Sequence, residues 1–357
     1  MATTKTDRRG PRAITIHDVA ELAGVSPSTV SKALNQAPHV TEATRQRVLA
    51  AADALQYRPN SIARSLKMKR TRTIGLVTDD LGDAFTMPMM RGVEIAASEA
   101  GFAVFLCNSY GEREREREHL DALIDKQVDG IILMSGYRVR ERGQPAMRLH
   151  RLPLVYLYQY TREVSAPCII PDDFGGGEIA ARYLIDLGHT RIAMVNGPLH
   201  FEAAQRRHEG FRAAMGAAGL ALEPDLVRGG DWSMTTGYRA VHELMASPYP
   251  PTAVFCASDV IAVGAVSAAY ERQLRVPENV SIVGFDDRLL AVQAQPRLTT
   301  VALPLFEMGQ EAGKLAVAAA RGESLAHGVR RVECRIVVRE TTLPLGRSAR
   351  PSLPTWG

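Results

Sequence analysis

The sequence lacks the segments that would place a protein in a membrane or carry it out of the cell. No apolar run approaches the ~18 residues that a membrane-spanning helix requires. The stretch MATTKTDRRGPR at the start carries charges but no hydrophobic run after them, which excludes a secretory signal. We therefore expect a cytoplasmic protein that has no membrane partner.

Cysteine is scarce, and the spacing of the cysteines argues against a metal site and against a disulfide framework. The 4 cysteines are far apart, so they form neither the spacing of a metal site nor an evident disulfide framework. Three of them lie in apolar, strand-like runs, and we expect core thiols in a reducing compartment. The four residues are Cys107, Cys168, Cys256 and Cys334.

No common catalytic motif is present. The sequence contains no G-x-S-x-G, H-E-x-x-H, C-x-x-C or G-x-x-x-x-G-K-[ST], and its 9 histidines are scattered. The glycine run 175–177 lacks the spacing of a dinucleotide site and fits a loop at a helix start. Three aspartate pairs (79–80, 172–173 and 286–287) follow predicted strands, where open α/β sheets bind ligands. We expect neither an enzyme nor a cofactor nor a metal site.

The composition is that of an ordinary globular protein, but the charge is unevenly distributed. The chain has 357 residues, enough for two or three domains, with 46% hydrophobic and 23% charged residues. Residues 1–72 carry 13 Lys and Arg against 5 Asp and Glu, a net charge of +8, whereas the remainder has a net charge of −4. A basic N-terminal region on a mildly acidic body indicates a separate module that binds a polyanion.

The stretch 15–35, TIHDVAELAGVSPSTVSKALN, predicts two short helices joined by a tight turn. Thr15 can cap the first helix, with Asp18 three residues later completing a capping box. Gly24 supplies the positive φ of the turn, and Ser26 caps a second helix that has Pro27 at its first position. The predicted apolar faces consist of Val19, Ala20, Leu22 and Ala23 on the first helix and Val30, Ala33 and Leu34 on the second.

The second helix presents a polar face whose short hydroxyls and one cation suit the base edges of a DNA major groove. The alternative is a generic helical hairpin. Thr41 is expected to cap a third helix over 42–55, which closes the core with Val48, Ala51, Ala52 and Leu55. Arg45 and Arg47 are predicted on its exposed faces, where they would contact phosphates.

Two segments, DVAELAGVSPSTVSKALN (18–35) and VTEATRQRVLAAADALQYRPNSIARSLK (40–67), resemble the DNA-binding headpiece of the lactose-repressor (LacI/GalR) family. The resemblance extends over about 15–344. It implies a sequence-specific transcriptional repressor with a hinge helix, in which Leu66 enters a central minor-groove step beside Arg64; packing of Leu66 on the body is the alternative. The expected DNA-binding residues are Thr15, Ser26, Pro27, Ser28, Thr29, Ser31, Lys32, Asn35, Arg64 and Leu66.

From residue 73 the sequence alternates apolar strands with amphipathic helices, which predicts parallel sheets covered by helices. Candidate strands are 74–78, 103–107, 130–134, 154–158, 192–195, 253–256 and 281–285, and candidate helices are 87–100, 175–187, 201–218, 234–246 and 259–273. The resemblance implies a two-lobed body like the periplasmic binding proteins, with crossings near 170, 300 and 330. The predicted parts are a disordered tail (1–13), the all-α helix-turn-helix headpiece (14–59), the hinge (60–71), the α/β effector domain (72–344) and a flexible tail (345–357).

The resemblance also implies an effector site between the two lobes. Arg207 lies in an R-x-x-G-F segment and Asp286 in GFDD, a donor and an acceptor that suit a polyhydroxyl ligand, while Trp232 would stack on a sugar face. Structural roles in a local ion pair, a helix cap and the core remain the alternatives. The expected site consists of Asp83, Phe85, Tyr158, Arg207, Trp232, Ser258 and Asp286. Tyr158, Ser258, Leu303 and Leu305 depart from the family pattern and predict fewer hydrogen-bonding groups than in a typical hexose site.

The functional prediction is a homodimer that binds double-stranded operator DNA and is released by a small-molecule effector, a sugar or sugar derivative. The tail lacks leucine heptads for a tetramer bundle, which favours the dimer. One alternative is a regulator that responds to a corepressor such as a nucleobase. Another is a solute-binding receptor, which the missing secretory signal and the basic headpiece disfavour.

Overall fold

The computed structural model describes residues 14–35, 37–58, 70–140, 152–161 and 166–346. The chain divides into two compact units, 1–71 and 72–357. Arg64 and Leu66, the predicted tail 1–13 and residues 347–357 lie outside the described residues, so the predictions made for them stay predictions.

The first unit contains α1 (Ile16–Ala23), α2 (Pro27–Leu34) and α3 (Glu42–Ala54). The predicted caps are confirmed: the Asp18 carboxylate accepts from the Thr15 N–H at 2.7 Å, and Ser26 Oγ accepts from the Thr29 N–H at 3.2 Å. Gly24 ends α1 with φ 63°. Small apolar side chains fill the core because the three helices approach closely; they are Val19, Ala20, Ala23, Val30, Ala33, Val48, Ala51 and Ala52.

Two side chains of this unit differ from the prediction. Leu22 was assigned to the buried face of α1, but it is 56% exposed because it lies on the side of the helix away from α2 and α3. Arg45 donates to the carbonyl oxygens of Ala33 at 3.0 Å and Ala37 at 3.3 Å. Its guanidinium therefore fastens the end of α2 and the following loop to α3. The predicted exposed position of Arg45 is wrong, since its side chain is 19% exposed, while the phosphate contact stays a prediction.

The second unit is an α/β structure whose elements follow one another along the chain. Its strands are β1 (Thr73–Thr78), β2 (Ala103–Asn108), β3 (Gly130–Arg140), β4 (Leu154–Thr161), β5 (Pro167–Pro171), β6 (Ile192–Asn196), β7 (Val227–Gly229), β8 (Ala253–Cys256), β9 (Ser281–Asp286), β10 (Thr299–Ala302), β11 (Gly328–Val332) and β12 (Arg335–Val337). Its helices are α4 (Thr86–Glu99), α5 (Arg113–Asp125), α6 (Asp173–Asp186), α7 (Glu202–Ala217), α8 (Met234–Leu244), α9 (Asp259–Glu271), α10 (Leu289–Gln293) and α11 (Leu305–Ala320), and a 3-10 turn covers Pro224–Leu226.

The strands form two sheets, each the centre of one lobe. The first sheet has the order β11-β5-β4-β3-β1-β2 and the second has the order β12-β10-β9-β8-β6-β7. We call the first sheet with α4, α5 and α11 the first lobe, and the second sheet with α6 to α10 the second lobe. The chain passes between the sheets three times, at 171–173, 302–305 and 332–335.

The sheets differ from the expected pattern in two respects. The pairing of β3 with β4 shifts register between Met134 and Arg138, and both strands continue beyond the predicted ends at 134 and 158. An irregularity of this kind disrupts the ladder locally and leaves residues unpaired before pairing resumes. The prediction of purely parallel sheets is wrong for β12, which runs antiparallel to β10.

The glycine run 175–177 lies inside α6, so its assignment to a loop at a helix start was wrong. A Cβ on Gly177 would lie 2.1 Å from the Arg207 carbonyl oxygen, and one on Gly210 would lie 1.9 Å from that of Phe174. Gly177 belongs to α6 and Gly210 to α7. These glycines permit the close crossing of the two helices, which positions Arg207 against the start of α6.

The free cysteines Cys168, Cys256 and Cys334 are buried, and Cys107 is partly buried. Within the described ranges, no helix combines the length and apolar character that crossing a bilayer demands. The same residues contain no group of three or more His, Cys, Asp or Glu side chains that could hold a metal ion.

Candidate functional site

A cavity of about 290 Å³ lies between the two lobes. All seven residues of the predicted effector site line it, three from the first lobe (Asp83, Phe85 and Tyr158) and four from the second (Arg207, Trp232, Ser258 and Asp286). Four further residues, Phe201, Ala203, Val260 and Arg288, complete the wall. The fold thus brings together, in one cavity wall, side chains that are up to about two hundred positions apart in the sequence.

Arg207 forms the buried polar centre of the cavity wall. Its Nε donates to Asp173 Oδ1 at 2.8 Å, and its Nη1 donates to the Ala257 carbonyl oxygen at 2.6 Å and to Asp286 Oδ1 at 3.3 Å. The guanidinium also lies 3.7 Å from the centre of the Phe285 ring. These contacts fix the plane of the guanidinium while one edge of the side chain still borders the cavity.

Two carboxylates share this single cation. Burial raises the pKa of Asp286 to about 8, although Arg207 opposes the rise. Burial also raises the pKa of Asp173, whose Oδ2 has no hydrogen-bond partner among the described residues. Burial alone would lower the pKa of Arg207, but Asp173 and Asp286 raise it, so the guanidinium remains charged. The cluster is therefore stabilised when one of the two carboxyl groups holds a proton.

Aromatic rings form two opposed walls. Phe85 and Tyr158 contact one another on the first lobe, with ring centres 6.0 Å apart. Phe201 and Trp232 contact one another edge to face on the second lobe, with centres 6.1 Å apart. Flat apolar faces of this kind pack against rings and against the C–H faces of sugars.

Three polar residues of the wall already take part in local structure. Ser258 Oγ accepts from the Ile261 N–H at 3.2 Å and so caps α9, yet its hydroxyl hydrogen remains available to a ligand. Asp83 Oδ1 accepts from the Phe85 N–H at 3.2 Å. Tyr158 has φ 59°, and burial, followed by the charge of Asp173, raises the pKa of its phenol. The two hydrogen bonds orient the side chains of Ser258 and Asp83 at the cavity.

Arg288 and Asp173 were missed by the sequence-based prediction of the site. Arg288 follows the predicted Asp286 by two positions, and its guanidinium lies 5.4 Å from the centre of the Phe85 ring on the opposite lobe. Its backbone N–H donates to Asp259 Oδ2 at 2.7 Å. Asp173 was recognised only as one of a strand-end pair. Its partnership with Arg207 depends on the α6–α7 crossing, which no local pattern encodes.

The polar face of α2 forms a second candidate site, in the first unit. Ser28, Lys32 and Asn35 are exposed, as the predicted groove-facing role requires. Ser26 Oγ lies 2.9 Å from Ser28 Oγ and 2.9 Å from Thr29 Oγ1, and Asn35 Nδ2 donates to the Ser31 carbonyl oxygen at 2.7 Å. These hydroxyl and amide groups therefore support the ends of the helix while they face solvent.

Both units of the chain match known protein families. Residues 15–60 match the bacterial regulatory proteins of the lacI family, and residues 181–342 match the periplasmic binding protein-like domain. The HTH-type transcriptional repressor CytR of Escherichia coli (strain K12) is 34% identical over 333 residues, which cover 93% of this chain and 97% of that protein. The chain belongs to the lacI family of bacterial regulatory proteins.

Other lacI-family proteins agree with this assignment. The ribose operon repressor of Escherichia coli (strain K12) is 38% identical over 296 residues, 83% of this chain and 90% of that protein. The lac repressor dimer bound to operator and the anti-inducer ONPF superposes with a TM-score of 0.75 at 29% identity, covering 93% of this chain and all of that one. The transcriptional regulator CelR in complex with cellobiose has a TM-score of 0.62 at 33% identity, covering 92% and 99%.

Membership in the lacI family confirms the predicted family and the fold of a helix-turn-helix unit followed by a two-lobed α/β body. It also confirms that the chain is an effector-responsive, DNA-binding transcriptional regulator, because its relatives are transcriptional repressors and not enzymes.

Proposed function

We propose that this regulator is a homodimeric repressor that leaves its operator when a sugar or sugar derivative occupies the cavity between the lobes. The observation that carries the proposal is the arrangement of Arg207, Asp286 and Trp232 on one wall of that cavity. The ribose operon repressor and the CelR–cellobiose complex add support, since a sugar appears in the name of each. A cytoplasmic location follows from the proposed action on DNA.

Recognition of the operator is assigned to α2. Ser28, Thr29, Ser31 and Lys32 would contact bases and phosphates in the major groove, with Asn35 at the end of the helix. Thr15, Ser26 and Pro27 would orient the two helix starts toward the phosphate backbone, where N–H groups at helix ends favour anions. Arg64 and Leu66 keep the minor-groove role that the family resemblance implies.

Recognition of the effector divides between donors, acceptors and rings. Arg207 would donate to ligand hydroxyls, and Asp83 and Asp286 would accept from them, while Trp232 would pack on the C–H face of the ring. A cavity of about 290 Å³ is at the lower end of the range for small-molecule sites, which fits one ring better than a long oligosaccharide.

Release from DNA requires the ligand to favour one arrangement of the lobes over another. A ligand can shift an equilibrium only by its difference in affinity for the two states. Because Asp83, Phe85 and Tyr158 belong to one lobe and the other four predicted residues to the second, a bound ring would contact both lobes at once. Its affinity would therefore depend on how the lobes are arranged.

Dimerisation is supported by large apolar side chains that the second unit leaves exposed. Phe105 and Leu106 are 44% and 40% exposed on β2, which is the edge strand of the first sheet. Tyr270 is 84% exposed and Leu289 is 70% exposed on the second lobe. Large apolar side chains that are exposed in one subunit can be covered by a second subunit. Sedimentation equilibrium of the purified protein should give a dimer, and a monomer at micromolar concentration would contradict this part of the proposal.

The test begins with DNA. Repeated selection from a random duplex library should yield a pseudo-palindromic site, and fluorescence anisotropy would then measure its affinity with and without each sugar of a panel. We expect at least one sugar or sugar derivative to weaken binding tenfold or more. Arg207→Ala should bind the site as the wild type does but lose the ligand response. A selected site that no ligand of the panel releases would contradict the inducer mechanism.

A corepressor mechanism is the second candidate, and the aromatic walls favour it. Phe85, Tyr158, Phe201 and Trp232 could enclose a nucleobase as readily as a sugar ring. The same anisotropy assay separates the two mechanisms, because a corepressor tightens operator binding and an inducer weakens it.

A further inference from the structure

Arg288 reaches across the cavity from one lobe to the other. It follows Asp286 and Asp287, whose φ angles of 114° and 57° turn the chain sharply at the end of β9. Its backbone N–H donates to the buried Asp259, so the base of the side chain is held in place. Its guanidinium lies over the ring of Phe85, at the start of α4 in the first lobe.

Among the described residues the Arg288 guanidinium forms no ion pair, although its charge, like that of Arg207, opposes the rise that burial causes in the pKa of Asp286. Asp286 is bonded to Arg207, and Asp287 is paired with Arg339 at 2.6 Å. Asp259 accepts from Thr300 and from the Arg288 backbone, not from its side chain. Among the described residues, no carboxylate lies within 4.0 Å of the Arg288 guanidinium, although Asp83 and Asp286 line the same cavity.

A guanidinium that borders a cavity and has no ion-pair partner among the described residues favours an anionic ligand. Arg288 is half-buried, and the Phe85 ring that it contacts supplies a weak attraction but no hydrogen-bond acceptor. A guanidinium presents paired N–H groups that match the oxygens of a carboxylate or a phosphate. The other cavity arginine, Arg207, already donates to two carboxyl groups and a carbonyl oxygen, so it does not create the same requirement.

We propose that the effector is an anionic ring compound, a sugar acid or a sugar phosphate, whose charged oxygens bind Arg288. The inference rests on the proposed function and narrows its class of ligand. The ring would lie between the two aromatic walls, with its hydroxyls toward Asp83, Asp286 and Arg207. The anionic group would lie beside Phe85 and would therefore join the second lobe to the first.

The experiment compares matched sets of compounds on the purified full-length protein. Isothermal titration would measure the dissociation constants of glucose, glucuronate and glucose 6-phosphate, and of ribose, ribonate and ribose 5-phosphate. We expect an anionic member of at least one set to bind ten times more tightly than its neutral counterpart. The carboxylate and phosphate members show which anionic group the site takes.

Variants then assign the effect to Arg288. Arg288→Gln should weaken binding of the anionic member much more than binding of the neutral one and so remove the preference, whereas Arg288→Lys should retain part of the preference. Arg239→Gln removes an exposed arginine of α8 outside this cavity and is the matched control. Operator binding without ligand confirms that each variant is folded.

Two results would overturn the inference that the effector is anionic. The inference fails if the neutral sugar binds as tightly as its anionic counterparts in both sets, and it fails if no anionic member of either set binds. The outcome for the proposed function is read separately. If a neutral sugar binds and releases the operator, the anionic class is wrong while the inducible repressor stands. If an anionic compound binds through Arg288 without changing operator affinity, the anion site stands while the inducer mechanism fails.

Discussion

The phenolic oxygen of Tyr160 donates to Glu202 Oε2 at 2.5 Å, and this bond joins the two lobes. Tyr160 lies on β4 of the first lobe, and Glu202 is the first residue of α7 in the second lobe. The helix that begins at Glu202 also carries Arg207. The bond therefore stabilises the arrangement of lobes in which the donors of α7 face the aromatic wall of the first lobe.

Tyr160→Phe should lower effector affinity by about threefold to tenfold, because a single intramolecular hydrogen bond contributes ~0.5–1.5 kcal/mol. Tyr183→Phe is the matched control, since its hydroxyl lies 2.8 Å from Thr342 Oγ1 within the second lobe. Titration of the effector, once found, into both variants checks the prediction. Equal losses of affinity in the two variants would show that the Tyr160 bond has no particular role between the lobes.

Asp286 should make the stability of the protein depend on pH. Its pKa is about 8 in the folded chain against an ordinary value of 3.8, so the folded state holds a proton that the unfolded state releases between these values. The contribution of this group is therefore most favourable below pH ~4, declines as the pH rises, and is constant above pH ~8. In Asp286→Asn the side chain is always neutral, and this decline should be absent.

Urea unfolding midpoints at pH 5, 6.5 and 8 test this prediction. The midpoint of the wild type should fall relative to that of Asp286→Asn as the pH rises. Asp125→Asn, at an exposed position of α5, is the matched control. A difference between wild type and Asp286→Asn that stays constant across the three pH values would contradict the raised pKa.

Local signals in the sequence were sufficient for the first unit. The caps at Thr15, Ser26 and Thr41 each involve atoms within three residues, so a short window contains the whole interaction. Arg45 was wrongly predicted to be exposed because the folding of α3 onto α2 brings its guanidinium within reach of the carbonyls of Ala33 and Ala37. An amphipathic pattern identifies an exposed face but not what a long side chain on that face can reach.

The sequence predicted those cavity residues that a strand-end rule or the family resemblance identifies, but not those whose contacts depend on the packing of loops and lobes. Asp286 ends a parallel strand, and the ends of such strands meet at one edge of a sheet. The family resemblance supplied Ser258. Phe201 and Arg288 were missed because their contacts, with Trp232 and Phe85 respectively, depend on the packing of loops and lobes. The family resemblance supplied Arg207 but not its partner Asp173.

Gly210→Ala should be strongly destabilising. A Cβ at this position would lie 1.9 Å from the Phe174 carbonyl oxygen, so α6 and α7 would have to separate. Overpacking of this kind typically costs ~1–3 kcal/mol, and a clash with backbone is at the upper end. Gly216→Ala in the same helix is the control, because a Cβ there meets nothing within 4 Å and alanine favours a helix by ~1 kcal/mol. Thermal unfolding should show a lower midpoint for Gly210→Ala only.

The polar face of α2 offers a prediction that separates charge from base recognition. Lys32 is an exposed cation on this face, and a lysine that neutralises one phosphate contributes about one unit to the slope of log affinity against log salt. Lys32→Ala should weaken binding to selected and to random DNA and should reduce that slope by about one.

Ser28→Ala provides the contrast, because a hydroxyl that contacts a base edge should change the preference among sequences and leave the salt slope unaltered. Anisotropy titrations at several salt concentrations, with the selected site and with random duplex, measure both quantities. If Lys32→Ala leaves the salt slope unchanged and instead alters which bases are preferred, Lys32 reads the sequence and the phosphate role belongs to other residues of the headpiece. If neither variant affects DNA binding, α2 is not the recognition helix, since these two side chains are the exposed cation and an exposed hydroxyl of the face assigned to the groove.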